Sequence, residues 1–208
     1  MKEEQDYIRD ITEIRSMMER SSKFLSLSGW AGIMAGIYAL AGAWIAWKFF
    51  EFNPDEIVYK NIHSGSLYDN LQKVIFLAVI VLILAIVTAV FFSNRNASKK
   101  GEKLWNKTSR LLLFDMAVPF VTGGLLILIL ISKGLFGLIA PFTLFFYGLA
   151  LYNASKFTYE EVKVLGLIQI GLGLISSYFI EYGLLFWAIG FGVVHIMYGI
   201  YMQYKYER

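Results

Sequence analysis

The chain has 208 residues, 57% hydrophobic and only 17% charged, with a formal net charge of +3. A soluble domain carries nearer one quarter charged residues, so this composition excludes an ordinary soluble fold and points to a membrane. No cysteine is present, which excludes disulfides, thiol catalysis and iron–sulfur ligation by this chain.

Residues 1–23 are polar, with acids as frequent as bases, and do not read as a cleavable signal. Within them Tyr7, Ile11, Ile14 and Met18 recur at spacings of four, three and four. That pattern predicts an amphipathic helix over residues 3–23, ringed by charge. It would pack on the bundle end or the lipid surface, or pair with a second copy as a short coiled coil.

Residues 24–208 read as one membrane domain. The stretches Phe24–Trp47, Val74–Asn94, Gly134–Ser155, Val164–Ile180 and Tyr182–Tyr204 contain no Asp, Glu, Lys or Arg, and Leu111–Ser132 contains Asp115 alone. Each is close to the ~20 residues a helix needs to cross a bilayer core. The predicted fold is therefore all-α, with six transmembrane helices.

Helix 1 carries Ser28, Gly32 and Gly36 four residues apart. Small residues at that spacing let helix backbones approach closely, either within the bundle or across a homodimer seam. The segment after it, residues 51–70, holds Glu51, Asp55, Glu56, His63 and Asp69 and reads as a solvated external loop, with a weak cation site as the sharper option.

The second connection is the strongest charge feature. Arg95, Lys99, Lys100, Lys103, Lys107 and Arg110 face one acid, Glu102. Basic runs beside a membrane span lie against anionic headgroups, and nothing here calls for nucleic acid. Adding cations through alternate connections puts 15 of the 19 Lys and Arg on the side of this run and four on the other. Cationic loops stay in the cytoplasm, so both termini are expected inside.

Polar groups within spans are costly and need a partner or a role. Asp115 lies about 7–8 Å, and His195 about 15 Å, along their helices from the cytoplasmic side, at 1.5 Å per residue. Helical spacing groups Asp115 with Pro119 and Thr122, Gln169 with Gly166, Gly173 and Ser176, Tyr147 with Thr143, and His195 with Gly192 and Gly199. Those faces are expected to point inward, away from lipid. The expectation is a polar cluster of Asp115, Thr122, Tyr147, Gln169 and His195 in the inner half of the membrane. It either glues helices together or lines a cavity.

Known intramembrane chemistries fail by absence. Six spans with a histidine in the last resemble a rhomboid protease, but Ala140-Pro141-Phe142-Thr143 offers no serine nucleophile. An aspartyl protease needs two carboxylates in the spans, and a zinc protease needs two histidines four apart. Only Asp115 and the distant pair His63 and His195 exist. The same shortage removes bis-histidine haem ligation. No metal, cofactor or catalytic residue is assigned.

The segments Arg15–Arg20, Leu27–Gly32, Gly137–Phe142, Tyr147–Lys156 and Gly183–Gly192, with the end of the chain at Tyr206–Arg208, resemble a family of small six-span bacterial membrane proteins. The resemblance implies the bacterial cytoplasmic membrane and assigns neither activity nor site. The function expected is a non-enzymatic sensor, regulator or scaffold whose partners are lipid headgroups at residues 95–110, with a homo-oligomer through residues 3–23 or helix 1 as a second option. The alternative is a small transporter or ligand-binding protein with a cavity around Asp115, Gln169 and His195.

Overall fold

The computed structural model describes residues 24–50, 52, 65–101 and 103–207, with side chains from Leu71 onward in the second helix. The expected amphipathic helix over 3–23 and the loop residues Glu51, Asp55, Glu56 and His63 lie outside them, as does Glu102. The described residues are mostly helical, without strands, and hold six helices long and apolar enough to cross a membrane. They are α1 (Gly29–Phe49), α2 (Gly65–Lys99), α3 (Lys107–Ser132), α4 (Ile139–Ala154), α5 (Glu160–Tyr178) and a composite sixth span. That last span joins α6 (Gly183–Trp187), a π-helical segment Ala188–Val194 and α7 (His195–Tyr206).

Local sequence explains the helix ends. Asn106 opens α3 with a reciprocal cap: its side-chain oxygen accepts the Ser109 N–H at 2.8 Å, and its own N–H reaches Ser109 Oγ at 2.9 Å. Two of the orphan donors of the first turn are thereby satisfied. Gly134 closes α3 at φ +73°, a left-handed conformation that glycine adopts without a Cβ penalty. The Gly134 N–H then bonds Ile131 O and the Leu135 N–H bonds Leu130 O, which is a Schellman closure.

Two glycine-mediated crossings build the interior. Between α4 and α5, a Cβ on Gly166 would stand 2.8 Å from both Gly148 O and Tyr152 N, and one on Gly148 would stand 2.7 Å from Gly166 O. Backbone touches backbone there, which only small residues allow. Between α1 and the sixth span, a Cβ on Gly29 would lie 2.4 Å from Gly199 O, and one on Gly36 would lie 2.6 Å from Gly192 O. The Ser28, Gly32 and Gly36 face of α1 therefore packs inside the chain, against its own last span. α2 packs chiefly on α1, and α3 on α4, so these two form the outer flanks. The apolar window of α2 is wholly unburied, as a lipid-facing helix requires.

The first predicted span starts late. Phe24–Ser28 is not helical. It is an extended strap laid across one end of the bundle. The Phe24 N–H bonds Phe157 O at 2.6 Å, Thr158 Oγ1 donates to Phe24 O at 2.9 Å and Tyr159 Oη donates to Leu25 O at 2.7 Å. Lys100 Nζ reaches the same Leu25 carbonyl at 2.6 Å, and Asn96 Nδ2 reaches Ser26 O and Leu27 O. The strap's backbone groups, which no helix ladder serves, find partners in side chains and in the Phe157 carbonyl.

Candidate functional site

Three spans meet at a small polar centre. α4 contributes Tyr147, α5 contributes Gln169 and the sixth span contributes His195 together with the Gly190 carbonyl. Gln169 is fully buried and His195 is 5% exposed. Gln169 Nε2 donates to Gly190 O at 2.7 Å, and His195 Nδ1 lies 2.8 Å from the same oxygen. Tyr147 Oη lies 2.8 Å from His195 Nε2. With Nδ1–H given to the carbonyl, Nε2 accepts the tyrosine proton, a tautomer assigned from the network. The 3.3 Å approach of Gln169 Nε2 to His195 Nδ1 then sets two donors side by side on one acceptor.

The π-helical segment makes this arrangement available. A wider turn over Ala188–Val194 interrupts the α-type ladder and turns the Gly190 carbonyl toward side chains. Gly190 and Gly192 both sit in the segment, and a Cβ at Gly190 would fall 2.6 Å from Gln169 Oε1. Aromatic rings seal the site: Phe191 lies 5.0 Å from Tyr147 and 5.8 Å from His195, and Phe120 of α3 lies 6.0 Å from Tyr147. Both imidazole nitrogens are engaged within the group, one with Tyr147 of α4 and one with the Gly190 carbonyl. The group joins helices. Gln169 Oε1 and Ser176 Oγ are enclosed without a hydrogen-bond partner.

Two expected members stand apart from this centre. Asp115 does not join it: its carboxylate pairs with Lys156 Nζ at 3.6 Å, at the end of α4. Thr122 does not join it either and is exposed on α3. The reason is rotational. α3 buries Leu112, Pro119, Gly123 and Leu130 against α4, which carries Asp115 to the flank of that contact and Thr122 onto the outer surface.

The six basic residues gather at the strap end, although not as a loop. Arg95 and Lys99 lie on α2 and Lys107 and Arg110 on α3, so only Lys100 and Lys103 belong to the connection. The α2 helix runs on past the membrane-length segment because nothing breaks it before Gly101, at φ +69°. Beside these cations, Glu207 closes on the start of α1: Ser28 Oγ donates to Glu207 Oε2 at 3.2 Å and the Gly29 N–H donates to Oε1 at 2.5 Å. α1 has no side-chain cap of its own, and the distant carboxylate serves the N-terminal donors instead.

Two clefts flank the bundle, and neither is lined by Asp115, Tyr147, Gln169 or His195. One, of about 570 Å³, lies at the basic end between the start of α1, the last turns of α2 and the end of α7. The other, of about 130 Å³, is apolar and lies between α1, α2, α4 and α6 near the opposite end. Glu207, Asn96 and Lys156 make long-range contacts at the basic end that sequence spacing did not single out. Their partners are 178, 70 and 41 positions away in the chain, and no local pattern joins them.

Comparison of the chain with protein-family models, with curated proteins and with solved structures finds no match.

Proposed function

We propose that this protein is a non-enzymatic integral protein of the bacterial cytoplasmic membrane, acting as a scaffold or regulator through its basic end. Both termini lie in the cytoplasm in this reading, and the basic end rests on anionic headgroups of the inner leaflet. The observation that carries it is the use of the polar centre for contacts between helices: His195 has both nitrogens in hydrogen bonds and the buried Gln169 amide nitrogen donates to the Gly190 carbonyl of the sixth span. Polar membrane residues arranged this way hold helices together. The exposed chemistry is concentrated instead at Arg95, Lys99, Lys100, Lys103, Lys107 and Arg110.

Photo-crosslinkers placed singly at Lys103 and Lys107, and at Leu82 and Val90 on the outer face of α2, test this in bacterial cells. The reading expects discrete protein adducts from the basic end, lost when the neighbouring cations become glutamate, and lipid adducts alone from α2. A solute flux in proteoliposomes that disappears in a folded Gln169→Leu variant would overturn it in favour of transport.

A further inference from the structure

The larger cleft sets cations beside aromatic side chains. Phe92, Arg95, Asn96 and Lys99 recur at spacings of three, one and three, which puts them on one face of α2. That face forms one wall of the cleft, and Lys100 continues it. Trp30 of α1 and Gln203, Tyr206 and Glu207 form the other walls. Three cations thus meet one carboxylate. Glu207 already serves the Gly29 N–H and the Ser28 hydroxyl, and among the described residues neither Arg95 nor Lys99 makes an ion pair or a side-chain hydrogen bond.

Polarity is graded along the wall. Phe92 lies one turn deeper in the apolar part of α2 than Arg95 and Asn96, and Lys99 lies one turn farther out. Trp30 is 47% exposed beside this gradient, as aromatic residues are at headgroup depth. A guanidinium and an ammonium one turn apart suit a phosphate, the arginine offering paired donors and the lysine a point charge. The volume of about 570 Å³ falls within the range of small-molecule sites.

We infer that this cleft binds the phosphate-bearing headgroup of an anionic phospholipid, with Arg95 and Lys99 on the phosphate and the start of the acyl region against Phe92 and Trp30. The inference rests on the membrane-surface reading above and adds one defined site to it. A soluble phosphate ester offers the same anion without the apolar part.

The test uses the full chain in detergent, titrated with phosphatidylglycerol or phosphatidylcholine and read as bound lipid by native mass spectrometry. Phosphatidylglycerol is expected to bind in preference. Arg95→Gln with Lys99→Gln should weaken it about thirtyfold, as the loss of two surface cations near a headgroup implies. Lys103→Gln with Lys107→Gln removes the same charge outside the cleft and should leave it nearly unchanged. All four side chains are exposed, and an unaltered melting temperature verifies folding. Equal weakening in both double variants would overturn the cleft while leaving the basic-end reading standing. No preference for the anionic lipid would remove both. Displacement by glycerol 3-phosphate at the lipid's own concentration would overturn the lipid as the source and assign the anion to a soluble ester.

Discussion

Tyr147 Oη stands 2.8 Å from His195 Nε2, a hydrogen bond that ties the fourth span to the sixth across 48 positions of sequence. His195 turns its other nitrogen to the Gly190 carbonyl, so its ring is fixed from both sides. Tyr147→Phe keeps the ring contact with Phe191 and removes only the hydroxyl. The histidine, 5% exposed, then loses its donor, and the expected cost is about 1 kcal/mol. A double-mutant cycle with His195→Ala should give a coupling of about 0.6 kcal/mol and not above about 1.7, the span seen for hydrogen bonds between membrane helices. Unfolding in mixed detergent micelles measures it.

The glycine crossing between α4 and α5 gives a sharper contrast. Gly166→Val must push the α5 backbone off Gly148 O and Tyr152 N, now 2.8 Å from where its Cβ would stand. The expected loss is about 1–3 kcal/mol or the failure of α4 and α5 to associate. Gly171 lies on the same helix with nothing within 4 Å of its Cβ direction. Gly171→Ala should be neutral or slightly stabilising, since alanine favours the helix by up to about 1 kcal/mol. Thermal unfolding of the two variants side by side separates close packing from composition.

Much of this was legible in the sequence, and the limits are instructive. The six apolar stretches correspond to the six membrane-length helices, because apolar runs of that length have one stable backbone solution in lipid. The Gly166, Gln169, Gly173 and Ser176 face was readable from spacing alone, and all four are buried on α5. Asp115 and Thr122 were not readable in the same way. α3 lies on the flank of the bundle and buries only Ser109, Leu112, Pro119, Gly123 and Leu130, so a polar residue beside that narrow stripe falls on the surface and not at the centre. The strap at Phe24–Ser28 was equally hidden. Its residues are apolar enough to continue α1, and long-range bonds from Asn96, Lys100, Thr158 and Tyr159 hold it extended instead. The π-helical turn left no mark beyond two glycines.

Glu207 and α1 supply a third prediction. The carboxylate holds the Gly29 N–H and the Ser28 hydroxyl together from the far end of the chain. Glu207→Ala removes both contacts and leaves the α1 N-terminus uncapped, at an expected cost of about 1–2 kcal/mol. Amide exchange at Gly29 and Trp30 should rise, while exchange in α4 and α5 stays as it is. Asp115→Asn should behave differently. Its pairing with Lys156 joins side chains that are 31% and 59% exposed, and exposed pairs of this kind contribute under about 1 kcal/mol.

Orientation is the last prediction, and the absence of cysteine from the chain makes it directly measurable. Ser98 is exposed near the end of α2, among the basic residues, and Ser132 is exposed at the end of α3, toward the opposite end of the bundle. Ser98→Cys and Ser132→Cys each add one thiol and change no charge, so the cation bias that sets topology is untouched. A membrane-impermeant maleimide applied to intact cells, with the outer membrane made permeable, should label Ser132→Cys and spare Ser98→Cys. Lysis should expose Ser98→Cys to the same reagent. The reverse pattern would place the basic end outside the cell, away from the anionic cytoplasmic leaflet. The proposed headgroup contacts of Arg95 and Lys99 would then lose their physical basis, since the attraction depends on that leaflet's negative surface potential and fades within a Debye length.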